Sequence, residues 1–227
     1  MSDLLDWYRC CAELGYAEEQ CFLANSYYNG EGVEKNFAEA VKWYQLSAEQ
    51  GNAAAQYGLA KCYYYGVGIE KNLAEAVKWL RLSAEQGNAA AQCWLGNLFY
   101  NGEVVEKNYP EALGWYMSSA NQGNADAQYN VGLCYYYGNG VEKNMNRAKE
   151  WFSLAADQGH THAKDMLAKV ESFYANLYSG PVHGDDLPGK LEPTIWYDWR
   201  TGERLLRNED GEVVNSNGET VSAAWWE

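Results

Sequence analysis

The strongest constraint on this chain is a period. Val33, Ile69, Val105 and Val141 close four versions of one turn, each followed by Glu-Lys-Asn, and successive members stand 36 residues apart (69 − 33, 105 − 69, 141 − 105). The same interval links Gly15, Gly51, Gly87, Gly123 and Gly159, and separately Trp7, Trp43, Trp79, Trp115 and Trp151. A fixed period of this size marks an array whose members bury their apolar faces against one another. Four repeats follow, at 15–50, 51–86, 87–122 and 123–158, flanked by half units that bring the array to 1–178.

Within a repeat the apolar positions fall at helical spacing. In AAAQYGLAKCYYYG (53–66), Ala55, Leu59, Cys62 and Tyr63 share one face, and Gly66 stands where a helix end needs a left-handed residue. In NLAEAVKWLRLSAEQG (72–87), Leu73, Ala76, Val77, Leu80 and Ala84 repeat the pattern before Gly87. Each repeat therefore reads as a helix hairpin. Asn36, Asn72 and Asn108 stand at N-cap positions with Glu39, Glu75 and Glu111 three residues later, the spacing of a capping box, while Arg147 replaces that glutamate in the fourth repeat. Val104 replaces the glycine of the other turns (Gly32, Gly68, Gly140), so the third turn is expected to run differently. The recurring tryptophan is expected to fill the space between repeats, and Ala24, Ala60, Gly96 and Gly132 to set how closely helices approach.

The succession Ala55, Leu59, Ala60, Tyr63, Gly66, Gly68, Ile69, Ala76, Trp79, Ala84 and Gly87, recurring four times in phase, resembles the Sel1-like repeat, a relative of the tetratricopeptide repeat. The resemblance implies an all-α fold, a right-handed α-α superhelical solenoid whose first helices line a concave face, serving as an adaptor between proteins. Some secreted members pair cysteines between neighbouring helices, but this chain lacks cysteine at the matching places. Cys21 and Cys93 share one repeat position, and Cys62 and Cys134 another, so they read as small buried residues. Cys10 and Cys11 are adjacent, which makes their mutual pairing strained.

Composition narrows the partners. With 47% hydrophobic residues the chain can bury a core, and its formal charge of −14 argues against a nucleic-acid partner, which needs clustered Lys and Arg. Such a field favours a basic protein. MSDLLDWYRC at the start has no continuous apolar run, so neither a membrane span nor a signal peptide is expected, and a cytoplasmic location follows.

Reaction chemistry is missing from the sequence. There is no G-x-S-x-G, no H-E-x-x-H and no complete phosphate-binding loop, and His160, His162 and His183 lack further ligands at metal spacing. No catalytic residue, cofactor or metal is expected. The Lys of each turn, at 35, 71, 107 and 143, neighbours a Glu and reads as a solvated pair.

Opposite the core face of each first helix, stepping about 100° per residue from Leu59, lie residues equivalent to 57, 61 and 64. This stripe comprises Cys21, Asn25 and Tyr28, then Tyr57, Lys61 and Tyr64, then Cys93, Asn97 and Tyr100, then Tyr129, Leu133 and Tyr136. From it, Tyr28, Tyr57, Lys61, Tyr64, Asn97, Tyr100, Tyr129 and Tyr136 are the candidate partner-binding residues. The column Tyr28, Tyr64, Tyr100, Tyr136 is aromatic in every repeat although the family pattern asks for an aromatic only one residue earlier. Stiff contact area with a polar tip suits a partner, and packing between neighbouring repeats is the alternative. Tyr65, Tyr137 and Trp94 lie nearer the edge of this face.

After residue 178 the texture changes. The stretch 179–193 holds three of the four prolines and reads as a linker, and 194–227 carries Thr201-Gly202, Asp210-Gly211 and Asn217-Gly218 between short β-prone runs. A small C-terminal β-meander of three or four strands is expected, acting as a cap on the last repeat, a dimer contact or part of a partner's surface. Two functions fit: a non-enzymatic protein-protein interaction scaffold using its tyrosine-lined face, or an acidic inhibitor or immunity protein that masks a basic toxin or nuclease.

Overall fold

The computed structural model describes residues 2–178 and three short strands at 196–197, 204–207 and 213–214, with side chains placed for 5–173. The chain divides into two compact bodies, Met1–Glu171 and Ser172–Glu227. The helices are α1 (Ser2–Glu13), α2 (Ala17–Asn29), α3 (Phe37–Glu49), α4 (Ala53–Tyr65), α5 (Leu73–Glu85), α6 (Ala89–Asn101), α7 (Tyr109–Asn121), α8 (Ala125–Tyr137), α9 (Met145–Asp157) and α10 (Thr161–Tyr178). Four hairpins, α2/α3 to α8/α9, stack in sequence order, and α1 lies against α2 as a half unit.

Capping fixes where the helices begin. Asn36, Asn72, Asn108 and Asn144 each accept from the backbone N–H three residues on, at 2.9–3.1 Å. The reciprocal half of the capping box is not made. The N–H of Asn36, Asn72, Asn108 and Asn144 already donates to the carbonyl of Tyr27, Tyr63, Phe99 and Tyr135, so no glutamate is needed there. Glu39 and Glu75 turn instead to Lys42 and Lys78. Arg147 is tolerated for the same reason, its guanidinium donating to the Tyr135 hydroxyl at 3.1 Å. The first helices have their own caps, Asn52, Asn88 and Asn124, each accepting an amide at 2.9 Å.

The turns lock one repeat to the previous one. A methyl group added at Gly140 would lie 2.5 Å from the Tyr109 carbonyl oxygen, and one at Gly68 would strike the Phe37 carbonyl, so each turn rests on the start of the preceding second helix. The third turn, with Val104 in that place, keeps the bond from the Gly102 N–H to the Leu98 carbonyl but lacks, among the described bonds, the second one that Glu31, Val67 and Asn139 donate to Ser26, Cys62 and Cys134 in the other turns.

Trp43 and Trp79 pack against the core that joins the first two repeats, but tryptophan is not the deepest residue of the stack. Trp43, Trp79, Trp115 and Trp151 are half-buried and Trp7 is 53% exposed, whereas the residues that follow the inner four, Tyr44, Leu80, Tyr116 and Phe152, are 0–2% exposed. Side-chain sizes are matched around them. A methyl group at Gly96 would meet the Tyr116 ring at 2.6 Å, one at Gly132 would meet Phe152 at 2.5 Å, and the repeat with Ala60 in that column carries the smaller Leu80. The first repeat pairs Ala24 with Tyr44, and its ring is accommodated by Gly58 of the next repeat.

A buried polar ladder, absent from the sequence expectations, crosses the same interfaces. Gln20, Gln56, Gln92 and Gln128 donate to the carbonyls of Ala12, Ala48, Ala84 and Ala120 at 3.0–3.3 Å, joining each first helix to the helix before it. Each also accepts from the glutamine that ends its own hairpin, at 50, 86, 122 or 158, at 2.7–2.8 Å. Fully satisfied networks of this kind fix register.

In the second body, β1 (Trp196–Tyr197), β2 (Arg204–Arg207) and β3 (Val213–Val214) form an antiparallel sheet in the order β1-β2-β3. Trp196 stands opposite Leu205, and Leu206 opposite Val214, as in a meander. Thr201-Gly202 and Asp210-Gly211 fall by number between successive strands, while Asn217-Gly218 and the 179–193 stretch lie outside the described residues.

Candidate protein-binding face

The eight candidates, Tyr28, Tyr57, Lys61, Tyr64, Asn97, Tyr100, Tyr129 and Tyr136, all lie on first helices, and all are half-buried. Cys21 and Cys93 of the same stripe are buried at 6% exposure, because neighbouring first helices close over them.

The tyrosine column ties repeats together while leaving ring edges at the surface. Tyr64 donates to Glu103 at 3.3 Å and Tyr100 accepts from Asn139 at 2.7 Å; both partners lie in the turn of the following repeat. Tyr28 stands edge-on to Phe37, and the Lys61 ammonium of the next repeat lies 5.4 Å from its ring. Tyr136 packs on Tyr137 and Phe152. Burial raises the hydroxyl pKa of Tyr28, Tyr57, Tyr64, Tyr100 and Tyr129, with Glu103 adding to the rise at Tyr64, so these phenols stay protonated donors at neutral pH.

One column separates structural from spare polar groups. Asn25 accepts from the Tyr44 hydroxyl at 2.6 Å and Asn97 from Tyr116 at 2.8 Å, so asparagine appears where the second helix brings a buried phenol. In the other two repeats that phenol is replaced by Leu80 or Phe152, and the column holds Lys61 or Leu133. Asn97 thus serves the core, whereas Lys61 has no such duty. Its ammonium lies 5.0 Å from the Tyr57 ring, and no carboxylate among the described residues pairs with it.

The densest part of the face surrounds Trp94. Its ring lies parallel to Tyr65 at 6.2 Å and edge-on to Tyr64 at 5.1 Å and Tyr57 at 5.9 Å, and Tyr65 is 63% exposed. The fold does not require tryptophan here, since the same repeat position holds Phe22, Gly58 and Asn130 elsewhere. A tryptophan in a column that varies from repeat to repeat, beside the constant Tyr64 column, is the sequence signal for the cluster.

The described residues offer little reactivity. Burial pushes the thiol of Cys62 up to about 11 and those of Cys93 and Cys134 up to about 12, so they are protonated and inert at neutral pH. Among the described residues no three His, Cys, Asp or Glu side chains are placed to hold a metal ion. No helix among them is long and apolar enough to cross a membrane.

Similar proteins agree with this architecture. A protective antigen of uropathogenic Escherichia coli displaying an SLR fold is 33% identical, with a TM-score of 0.69 over 73% of this chain and 36% of that one. A Sel1 repeat protein from Oxalobacter formigenes is also 33% identical, with a TM-score of 0.69 over 73% of this chain and 48% of the other. This chain therefore spans less than half the length of either. An immunity protein from Pseudomonas aeruginosa is 26% identical, with a TM-score of 0.50 over 82% of this chain and 80% of that one. No curated protein matches the chain. The Sel1 repeat matches at residues 20–52, 53–88, 89–124 and 125–160, in phase with the four hairpins, and the chain belongs to the Sel1 repeat family.

Proposed function

We propose that this protein is a non-enzymatic scaffold that binds another protein or peptide on the face built by its first helices. The observation that carries the reading is the Tyr57, Tyr64, Tyr65 and Trp94 cluster: large, half-exposed aromatic area, with Trp94 at a position where the other repeats carry phenylalanine, glycine or asparagine. Tyr28, Lys61, Tyr100, Tyr129 and Tyr136 extend the contact along the stripe, and the action takes place in the cytoplasm. Lys61 supplies a polar anchor within the aromatic surface. The test is site-specific photo-crosslinking in cells, with a photoreactive phenylalanine at Tyr65 or, as control, at the exposed Leu154 of a second helix. A discrete crosslinked partner from position 65 alone is expected; crosslinking from position 154 alone contradicts the face.

A second reading is favoured by the immunity protein, similar over comparable lengths of both chains, together with the formal charge of −14. In this reading the partner is a basic toxin or nuclease, drawn in by complementary charge. Its complex would weaken steeply as salt rises, whereas a salt-insensitive complex would count against it.

A further inference from the structure

His160 stands in the N-cap column of the first helices, where Asn52, Asn88 and Asn124 cap through their side chains and Tyr16, at the start of α2, makes no side-chain cap bond. It stands 36 residues after Asn124, itself 36 after Asn88, and its Nδ1 accepts from the Ala163 N–H at 3.1 Å, as those asparagines accept from Ala127 and Ala91. Its Nε2 lies 3.3 Å from Asp126 Oδ1, and its ring stacks on Tyr129 with centroids 4.7 Å apart. Only one state satisfies both nitrogens: the neutral imidazole with hydrogen on Nε2, donating to Asp126 and accepting from Ala163.

Protonation breaks this arrangement at one end. A hydrogen on Nδ1 points at the Ala163 N–H, so the cap bond is lost and two donors face each other. Ala163 is fully buried against Ala155 and Ala156, and as an amide of the first helical turn it has no intrahelical acceptor. The charged groups around the ring do not restore the cap. Asp126 of α8 strengthens its hold on Nε2, but its side chain is 77% exposed and its attraction is screened. Tyr129 of α8 is held neutral by burial, with Asp165 of α10 near it. His162 of α10 lies 6.0 Å away and adds a like charge once it is protonated too, and Asp157 at the end of α9 is exposed.

We propose that His160 is a pH-sensitive latch: its neutral ring fastens the start of α10, and protonation releases it. An asparagine cap cannot respond in this way, so among the described side-chain caps the one at the start of α10 is set apart by its dependence on pH.

The test is amide hydrogen exchange by NMR on the full chain at about pH 7.5 and about pH 5, expressed as protection relative to the unstructured chain. Ala163 should lose about five- to thirty-fold in protection on acidification while Ala55, Ala91 and Ala127 keep theirs. His160→Asn should abolish the loss, and His162→Asn should leave it in place. The imidazole nitrogen shifts of the wild type should show the Nε2–H tautomer at the higher pH. Unchanged protection of Ala163 in the wild type overturns the latch, as does a loss that survives in His160→Asn or disappears in His162→Asn.

Discussion

A methyl group on Gly58 would sit 2.5 Å from the ring of Tyr44, the residue that anchors the previous repeat's core at 1% exposure. The first repeat carries an aromatic where its own Ala24 leaves no extra room, and the second repeat yields the space. Repeat sequences that look interchangeable are therefore fitted to their order in the stack.

Gly58→Ala should destabilise the array by about 1–3 kcal/mol, since the ring has to leave its preferred position. Adding Tyr44→Leu, which gives the first repeat the Ala/Leu combination of Ala60 and Leu80, should recover part of the loss. Urea unfolding of the single and double variants reads the coupling, and strict additivity would mean that the two residues do not interlock.

Gly114→Ala gives the opposite sign. Gly114 lies inside α7 with nothing within 4 Å of an added methyl group, so alanine should stabilise by roughly 1 kcal/mol through helix propensity alone. A loss of stability there would show that the α7 backbone is more crowded than described.

Gln56→Leu should cost about 1–3 kcal/mol, because it removes the donor to the Ala48 carbonyl and the acceptor of Gln86. The same change at Gln45, exposed on α3, should be near neutral. Equal effects at 56 and 45 would remove the ladder from the account.

Alkaline pH should loosen the fold in a defined window. The thiols of Cys62, Cys93 and Cys134 are raised by burial from an ordinary 9.0 to about 11, about 12 and about 12. The unfolded chain therefore gives up these protons first. Their contribution is complete below pH 9.0 and is lost as pH rises through 11 and 12. In the native state at about pH 8 the exposed Cys10 should be alkylated well ahead of these three, with iodoacetamide labelling read by mass spectrometry. Comparable rates at Cys10 and Cys62 would contradict the burial.

The period, the hairpins and the helix starts were legible because each repeats a local requirement: apolar spacing within one helix, an asparagine cap, a left-handed glycine. What escaped depends on two elements at once. The recurrence of Trp43 and Trp79 pointed to them as the filling between repeats, but a second helix has neighbours on both sides, and the deepest place falls to the adjacent Tyr44 and Leu80, the latter already on the apolar face that helical spacing gives. The glutamine ladder was hidden in plain view at 20, 56, 92 and 128, because a polar residue in phase reads as surface until its carbonyl partner in the previous repeat is known. In the candidate face the tyrosine column was legible, but its division of labour was not. Asn97 belongs to Tyr116, and Tyr64 and Tyr100 partly belong to the next repeat's turn, which shifts weight to Tyr65 and Trp94.

The central claim is that the first-helix aromatic surface holds the partner. It is tested most directly by affinity capture from cells with the wild type, Tyr65→Ala/Trp94→Ala and the second-helix control Leu82→Ala/Leu154→Ala, each checked for equal helicity and quantified by mass spectrometry. The account predicts a partner recovered with wild type and control but reduced at least about tenfold with Tyr65→Ala/Trp94→Ala. Equal recovery with all three proteins would contradict it.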